Sequence, residues 1–240
     1  MAVTLEDFLN IKKTITQNSR ERNITSRPGS GGLAYLRYRF LRPYYKLKAK
    51  QFQKKYPQHP WLTASSIKVF DLLLTKDDVG LEYGSGRSTY HFAKLLGHLT
   101  SVEHHEEWYN IVKETLTNNK VSNVNLKLIP PNTAYTKPNL SSVDDYCLDA
   151  EAYPIKDDVF LDYVHFIDSI PNDSLDFILI DGRARVSCSK KSVSKLKSGG
   201  LFVLDNSERV RYREIHEMLE TWPNIYSSTG LTDTIIWRKP

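Results

Sequence analysis

Two carboxylates, Glu82 and Glu103, stand 21 residues apart around a pair of glycines, Gly84 and Gly86. The stretch Val79–Thr89 (Val-Gly-Leu-Glu-Tyr-Gly-Ser-Gly-Arg-Ser-Thr) reads as a buried strand, a glycine turn and a helix start at Ser88 and Thr89, confirmed by the periodic Phe92, Leu95 and Leu96. Glycines at the turn let the backbone approach a ligand that a Cβ would obstruct. Exposed N–H groups and the positive end of the helix dipole then suit an electron-rich group. Leu99–His104 is the next strand, and in a βαβ nucleotide-binding unit an acid at its tip, here Glu103, hydrogen-bonds ribose hydroxyls at about this spacing. Two later apolar runs also end in oxygen ligands: Ser174–Asp181 in Asp181, and Gly199–Asn206 in Asp205 and Asn206.

Taken together, Leu81–Thr89 and Ser101–His104 resemble the corresponding stretches of class I S-adenosylmethionine-dependent methyltransferases. The resemblance covers about residues 63–240 and implies a Rossmann-like α/β fold, a seven-stranded, mostly parallel sheet with helices on both faces. It places Glu82 near the methionine end of the cofactor and Glu103 on the ribose. The implied cofactor-binding set is Glu82, Tyr83, Gly84, Ser85, Gly86, Ser88, Thr89, Glu103, His104, Asp181 and Gly182. A dinucleotide dehydrogenase is the nearest competitor, but its third glycine or alanine would fall at Thr89, and it usually lacks an acid two residues before the first glycine.

Asp181, Asp205 and Asn206 admit two readings. Their two stretches resemble the Asp…Asp-Asn metal ligands of catechol-type O-methyltransferases, an oxygen-rich set suited to Mg²⁺. That subfamily carries a lysine base three residues after its first aspartate. Here the position is Ala184, between Arg183 and Arg185, and arginine is a poor base. The alternative has Asp181 on cofactor or acceptor and Asp205-Asn206 capping the last helix, with no metal. Asp181, His104 and Arg183 are the catalytic candidates. Asp181 or a histidine (His104, His105 or His165) would take the proton of an acceptor hydroxyl.

The elements that must position these groups alternate. Strands are expected near 78–83, 99–104, 124–129, 174–181, 199–206, 224–229 and 233–238. Helices are expected near 87–97, 106–119, 160–170, 186–196 and 208–221, giving a mainly parallel, doubly covered sheet closed by an antiparallel hairpin. Residues 130–158 are long and irregular enough for a lid, with Asp144, Asp145, Tyr146, Asp149, Glu151 and Tyr153 facing an acceptor. Before the domain, residues 1–62 read as a helical extension: a helix capped at Thr4, a break at Arg27–Gly32, and a basic aromatic helix over 33–55 that Pro43 should kink or restart. Thr63 or Ser65 caps the next helix, and Trp61 either closes over the site or packs beside it.

Length suits one α/β domain with an appendage, and 40% hydrophobic with 25% charged residues is ordinary globular composition. No apolar run reaches a bilayer's width, no basic and apolar leader opens the chain, and two cysteines build no framework; a cytoplasmic enzyme is expected. The net charge of +5 conceals ten Lys/Arg and no Asp/Glu over residues 24–70, leaving the remainder at −5. The favoured function is O-methylation of a small-molecule or glycan hydroxyl. The basic leader supports an alternative, RNA-directed methylation or binding of nucleic acid or anionic membrane. Against amino-methylation of nucleic acid, the fourth strand ends in Asp181-Gly-Arg, without the Asp/Asn-Pro-Pro-aromatic motif.

Overall fold

The computed structural model describes residues 4–18, 32–56, 58–134 and 157–240. Seven strands form one sheet: β1 (Val79–Tyr83), β2 (His98–Glu103), β3 (Val124–Leu128), β4 (Leu175–Ile180), β5 (Leu196–Asp205), β6 (Asn224–Ser228) and β7 (Asp233–Arg238). Their order is β3-β2-β1-β4-β5-β7-β6, and β7 alone runs antiparallel to both its neighbours. The chain leaves β1 toward β2 and β3 on one side and returns through β4 on the other. The carboxyl ends of β1 and β4 therefore lie side by side at the point where the strand order reverses, the usual place of a ligand crevice in such sheets.

Alternation within the strands explains the two cores. Ile178 and Ile180 of β4 join a cluster with Tyr83, Phe160, Tyr163, Phe202 and Trp237. Phe177 and Leu179 point to the other face, among Phe70, Phe92, Leu99 and Ile236. Both faces being buried, the strands read as continuous apolar runs.

The helices follow the expected places with local differences. They are α1 (Leu5–Asn18), α2 (Gly32–Lys55), α3 (Ala64–Leu73), α4 (Arg87–Leu95), α5 (Glu106–Asn118), α6 (Leu161–His165), α7 (Arg185–Ser192) and α8 (Arg213–Met218). The helix expected over 160–170 is broken, with 3₁₀ turns at Asp157–Phe160 and Phe166–Ser169 flanking α6. Pro43 does not restart α2, which continues from Gly32 to Lys55. β5 begins at Leu196 rather than near 199, and Lys197–Gly200 is an irregularity inside it: Leu175 pairs with Leu196 and Phe177 with Leu201. The extra residues on one side of that ladder form a bulge, which the repeat of apolar residues alone does not reveal.

The amino-terminal helix is tied to the sheet. Thr4 caps α1, accepting from the Asp7 N–H at 3.1 Å, and Phe8 and Ile15 are buried against Ile67, Phe70 and Ile225. Thr63 rather than Ser65 caps α3, its hydroxyl accepting from the Ser66 N–H and bonding the Ser227 hydroxyl of β6. The candidate lid residues from Asp144 to Tyr153 lie outside the described residues, as does the break expected over Arg27–Gly32 apart from Gly32, which opens α2.

Candidate functional site

The turn after β1 is set by two glycines with different roles. Gly84 has φ +96°, and a Cβ there would lie 2.6 Å from the Gly182 backbone nitrogen, so the β1 and β4 loops meet backbone to backbone. At Gly86 a Cβ would meet nothing closer than 3.7 Å; this glycine leaves room above the loop.

Glu103 closes β2 against that turn. Its Oε2 accepts from the Ser85 N–H at 3.0 Å, and its Oε1 accepts from the His104 and His105 N–H groups at 2.8 Å each. His104 Nδ1 lies a further 2.8 Å from Oε1. Burial works against the charge, but hydrogen bonds from His104 and the backbone together hold the carboxyl below the ordinary carboxylate value. A buried, ionised acceptor thus faces the cavity over the glycine loop.

Glu82 lies one layer deeper. Its Oε2 accepts from Thr89 Oγ1 and Ser101 Oγ, each at 2.6 Å, while Oε1 is buried without a partner. Burial, opposed by those hydroxyls, pushes its carboxyl up to about 7. Tyr83 packs on Tyr163 at 5.0 Å between ring centres and is fully buried. Glu82, Tyr83 and Thr89 therefore underlie the crevice, whereas Gly84, Ser85, Gly86, Ser88, Glu103, His104, Asp181 and Gly182 line it.

At the ends of β4 and β5, one guanidinium gathers the oxygen groups. Arg185 donates to Asp181 Oδ1 at 2.8 Å, to the Asp181 carbonyl at 2.7 Å, to the Asp205 carbonyl, and to Asn206 Oδ1 at 3.4 Å. It is 7% exposed. Asp205 Oδ1 also accepts from Thr234 Oγ1 at 2.8 Å. Burial raises both carboxyls, Asp205 well above the ordinary value because Asp181 adds its charge, and Arg185 opposes the rise at each.

This arrangement speaks against the metal reading. Arg185 already takes Asp181 Oδ1, Asn206 Oδ1 and the Asp205 main-chain carbonyl, and its permanent charge would repel a divalent ion placed among them. The set does not fit Mg²⁺. Arg183, a neighbour of this cluster, lines the crevice but cannot serve as a base.

Two cavities flank Asp181. The first, about 740 Å³, lies over the glycine loop, Glu103 and His104, and Arg209 and Arg211 line its far side. The second, about 470 Å³, is walled by the inner face of α2 through Tyr45, Ala49 and Phe52, with Asp205, Thr229 and Thr232 opposite. Trp61, Asp181 and Asn206 line both. Trp61 stacks on Trp108 at 6.0 Å and 25°, under the Arg87 guanidinium at 5.2 Å; the Trp108 indole donates to the Ser85 carbonyl at 2.5 Å. Trp108, Arg185 and the α2 wall were not among the sequence candidates. Trp108 had a usable signal, an indole five residues beyond Glu103 at a helix start. His165, by contrast, pairs with Asp168 at 2.7 Å on the surface, away from both cavities.

No protein-family model and no curated protein matches the sequence. Among solved structures, a candidate methyltransferase of Streptococcus mutans in complex with SAH is 11% identical over 73% of this chain and 96% of its own, with a TM-score of 0.51. A methyltransferase-like protein of Silicibacter pomeroyi is 21% identical over 76% and 89%, with a TM-score of 0.50. An rRNA methylase of Streptococcus thermophilus is 9% identical over 72% and 93%, also at 0.50. With the strand order above, these likenesses establish the fold: this chain has the Rossmann-like fold of class I S-adenosylmethionine-dependent methyltransferases.

Proposed function

We propose that the protein is an S-adenosylmethionine-dependent methyltransferase that O-methylates a small-molecule or glycan hydroxyl, with α2 and Trp61 of the amino-terminal extension covering its acceptor side. The observation that carries this reading is Glu103: ionised, buried and turned into the larger cavity beside the glycine loop. A carboxylate in that place suits a ribose diol, whose two hydroxyls can only donate to it. The open space above Gly86 suits the remainder of the cofactor, and the structurally similar Streptococcus mutans protein is in complex with SAH.

The cofactor, when bound, supplies a methyl group on a positively charged sulfur. The chain's own residues must bring an acceptor oxygen in line with it and take its proton. Asp181 stands where the two cavities meet, with Oδ1 held by Arg185. Its other oxygen is the base for an acceptor seated in the smaller cavity, against Tyr45, Phe52 and Trp61. These rings exclude water and offer flat apolar contact, while Asn206, Thr229 and Thr232 supply polar partners.

Calorimetric titration with S-adenosylhomocysteine tests the cofactor: one site per chain is expected, unaffected by Mg²⁺. Absence of binding overturns the reading. Once an acceptor is found, Asp181→Asn should retain S-adenosylhomocysteine affinity and lower transfer about 10²–10⁴-fold; an unimpaired rate removes Asp181 as base.

A further inference from the structure

The outer face of α2 carries a pattern that neither the fold nor methyl transfer uses. Leu36, Phe40, Tyr44 and Leu47 are 59%, 88%, 60% and 56% exposed. At 100° per residue they fall within an arc of about 80°. Tyr45, only 5% exposed, Ala49 and Phe52 occupy the opposite side and hold the helix against the smaller cavity. Exposed lysines flank the apolar arc on both sides, Lys46 and Lys50 along one edge and Lys55 at the carboxyl end of the other. The helix contains eight Lys/Arg and no Asp/Glu.

We infer that α2 lies with this outer face in the surface of an anionic lipid bilayer. An apolar stripe between cationic shoulders enters the boundary between acyl chains and headgroups, while the lysine stems reach the lipid phosphates. Aliphatic Leu36 and Leu47 distinguish a bilayer from RNA, since they neither stack on bases nor bond phosphate. The shoulders distinguish it from a second copy of the chain, because two such faces would set lysine against lysine. At about 36 Å, the helix is long enough to lie along the surface. No helix among the described residues is long and apolar enough to cross a bilayer, so the contact is peripheral. Because the inner face of α2 walls the smaller cavity, docking places that cavity within about one helix diameter, ~10 Å, of the headgroups. Docking through α2 is independent of whether the protein transfers methyl groups.

The test is co-sedimentation of the full chain with vesicles of phosphatidylcholine alone and of a phosphatidylcholine–phosphatidylglycerol mixture. Binding to the mixture should exceed binding to phosphatidylcholine at least ~10-fold and weaken as salt screens the charges. Lys46→Gln with Lys50→Gln should reduce it about 25-fold, or fivefold per lysine. Phe40→Asp should reduce it more than ~10-fold, with an unchanged circular dichroism spectrum because the side chain touches solvent. Absence of binding to the mixture overturns the inference, as does retention of binding by Phe40→Asp. Single-stranded RNA held more tightly than the vesicles, and released by the lysine changes but not by Phe40→Asp, would assign the face to nucleic acid instead. Loss of a dimer in Phe40→Asp, without lipid binding by the parent, would assign it to a second copy.

Discussion

Glu103→Gln separates the proposed cofactor ligand from a loop brace, because the two roles are read by different measurements. In the variant, Oε1 still accepts from the His104 and His105 N–H groups, at 2.8 Å each in the parent. The amide nitrogen that replaces Oε2 cannot accept from Ser85, and this N–H, bonded at 3.0 Å in the parent, loses its acceptor. Leaving one such buried donor unmade costs about 1–3 kcal/mol of stability. Binding suffers differently. A hydrogen bond to a charged acceptor contributes about 1.5–3 kcal/mol, against about 0.5–1.5 kcal/mol to a neutral one. With two ribose hydroxyls donating, the difference corresponds to a fall in S-adenosylhomocysteine affinity of roughly 10- to 100-fold. Glu103→Ala would confuse the two effects by stripping the acceptor from all three backbone groups. Calorimetry below the variant's melting temperature reads affinity, and urea unfolding reads stability. Should the variant unfold earlier yet bind S-adenosylhomocysteine within twofold of the parent, Glu103 only braces the loop and the ribose assignment is wrong.

Glu82 gives a pH signature. Its folded value is about 7, above the ordinary 4.5, so between those limits the folded chain holds a proton that the unfolded chain releases. Its contribution to stability is therefore full below about pH 4.5 and declines as pH rises through about 7, by about 3 kcal/mol. Glu82→Gln should flatten this part of the urea-midpoint profile between pH 5 and pH 8; profiles that stay parallel would refute the burial argument. Ala184, at the head of α7, sits at φ +47°, ψ +40°, in the left-handed region. Ala184→Gly should raise the urea midpoint by an amount equivalent to about 0.5–1 kcal/mol, since the relieved backbone strain exceeds the entropy added to the unfolded chain. A lower midpoint would mean that the alanine methyl's packing beside the core outweighs its backbone cost.

What the sequence determined alone was the local grammar. Val79–Thr89 specifies strand, turn and helix because periodicity, glycine and cap lie within a few residues of one another. The apolar runs ending in Glu103, Asp181 and Asp205 specify strands whose tips carry acids, and their alternation with helices specifies a mostly parallel sheet. The boundaries it misplaced are those set by neighbours: the bulge at Lys197–Gly200 exists only against β4, and α2 passes Pro43 while its inner face is held through Tyr45, Ala49 and Phe52.

Tertiary structure decided which groups meet. The sequence offered Asp181, Asp205 and Asn206 as oxygen ligands for a metal, yet could not say that Arg185, on the helix after β4, would claim them from within. Nor could it say that Trp61 would meet Trp108, or that Asp181 would stand between two cavities. Residue type and spacing report what a side chain can donate or accept. Which partner takes that capacity depends on contacts between residues far apart in the chain, and these exist only once the sheet has folded and α2 lies against it.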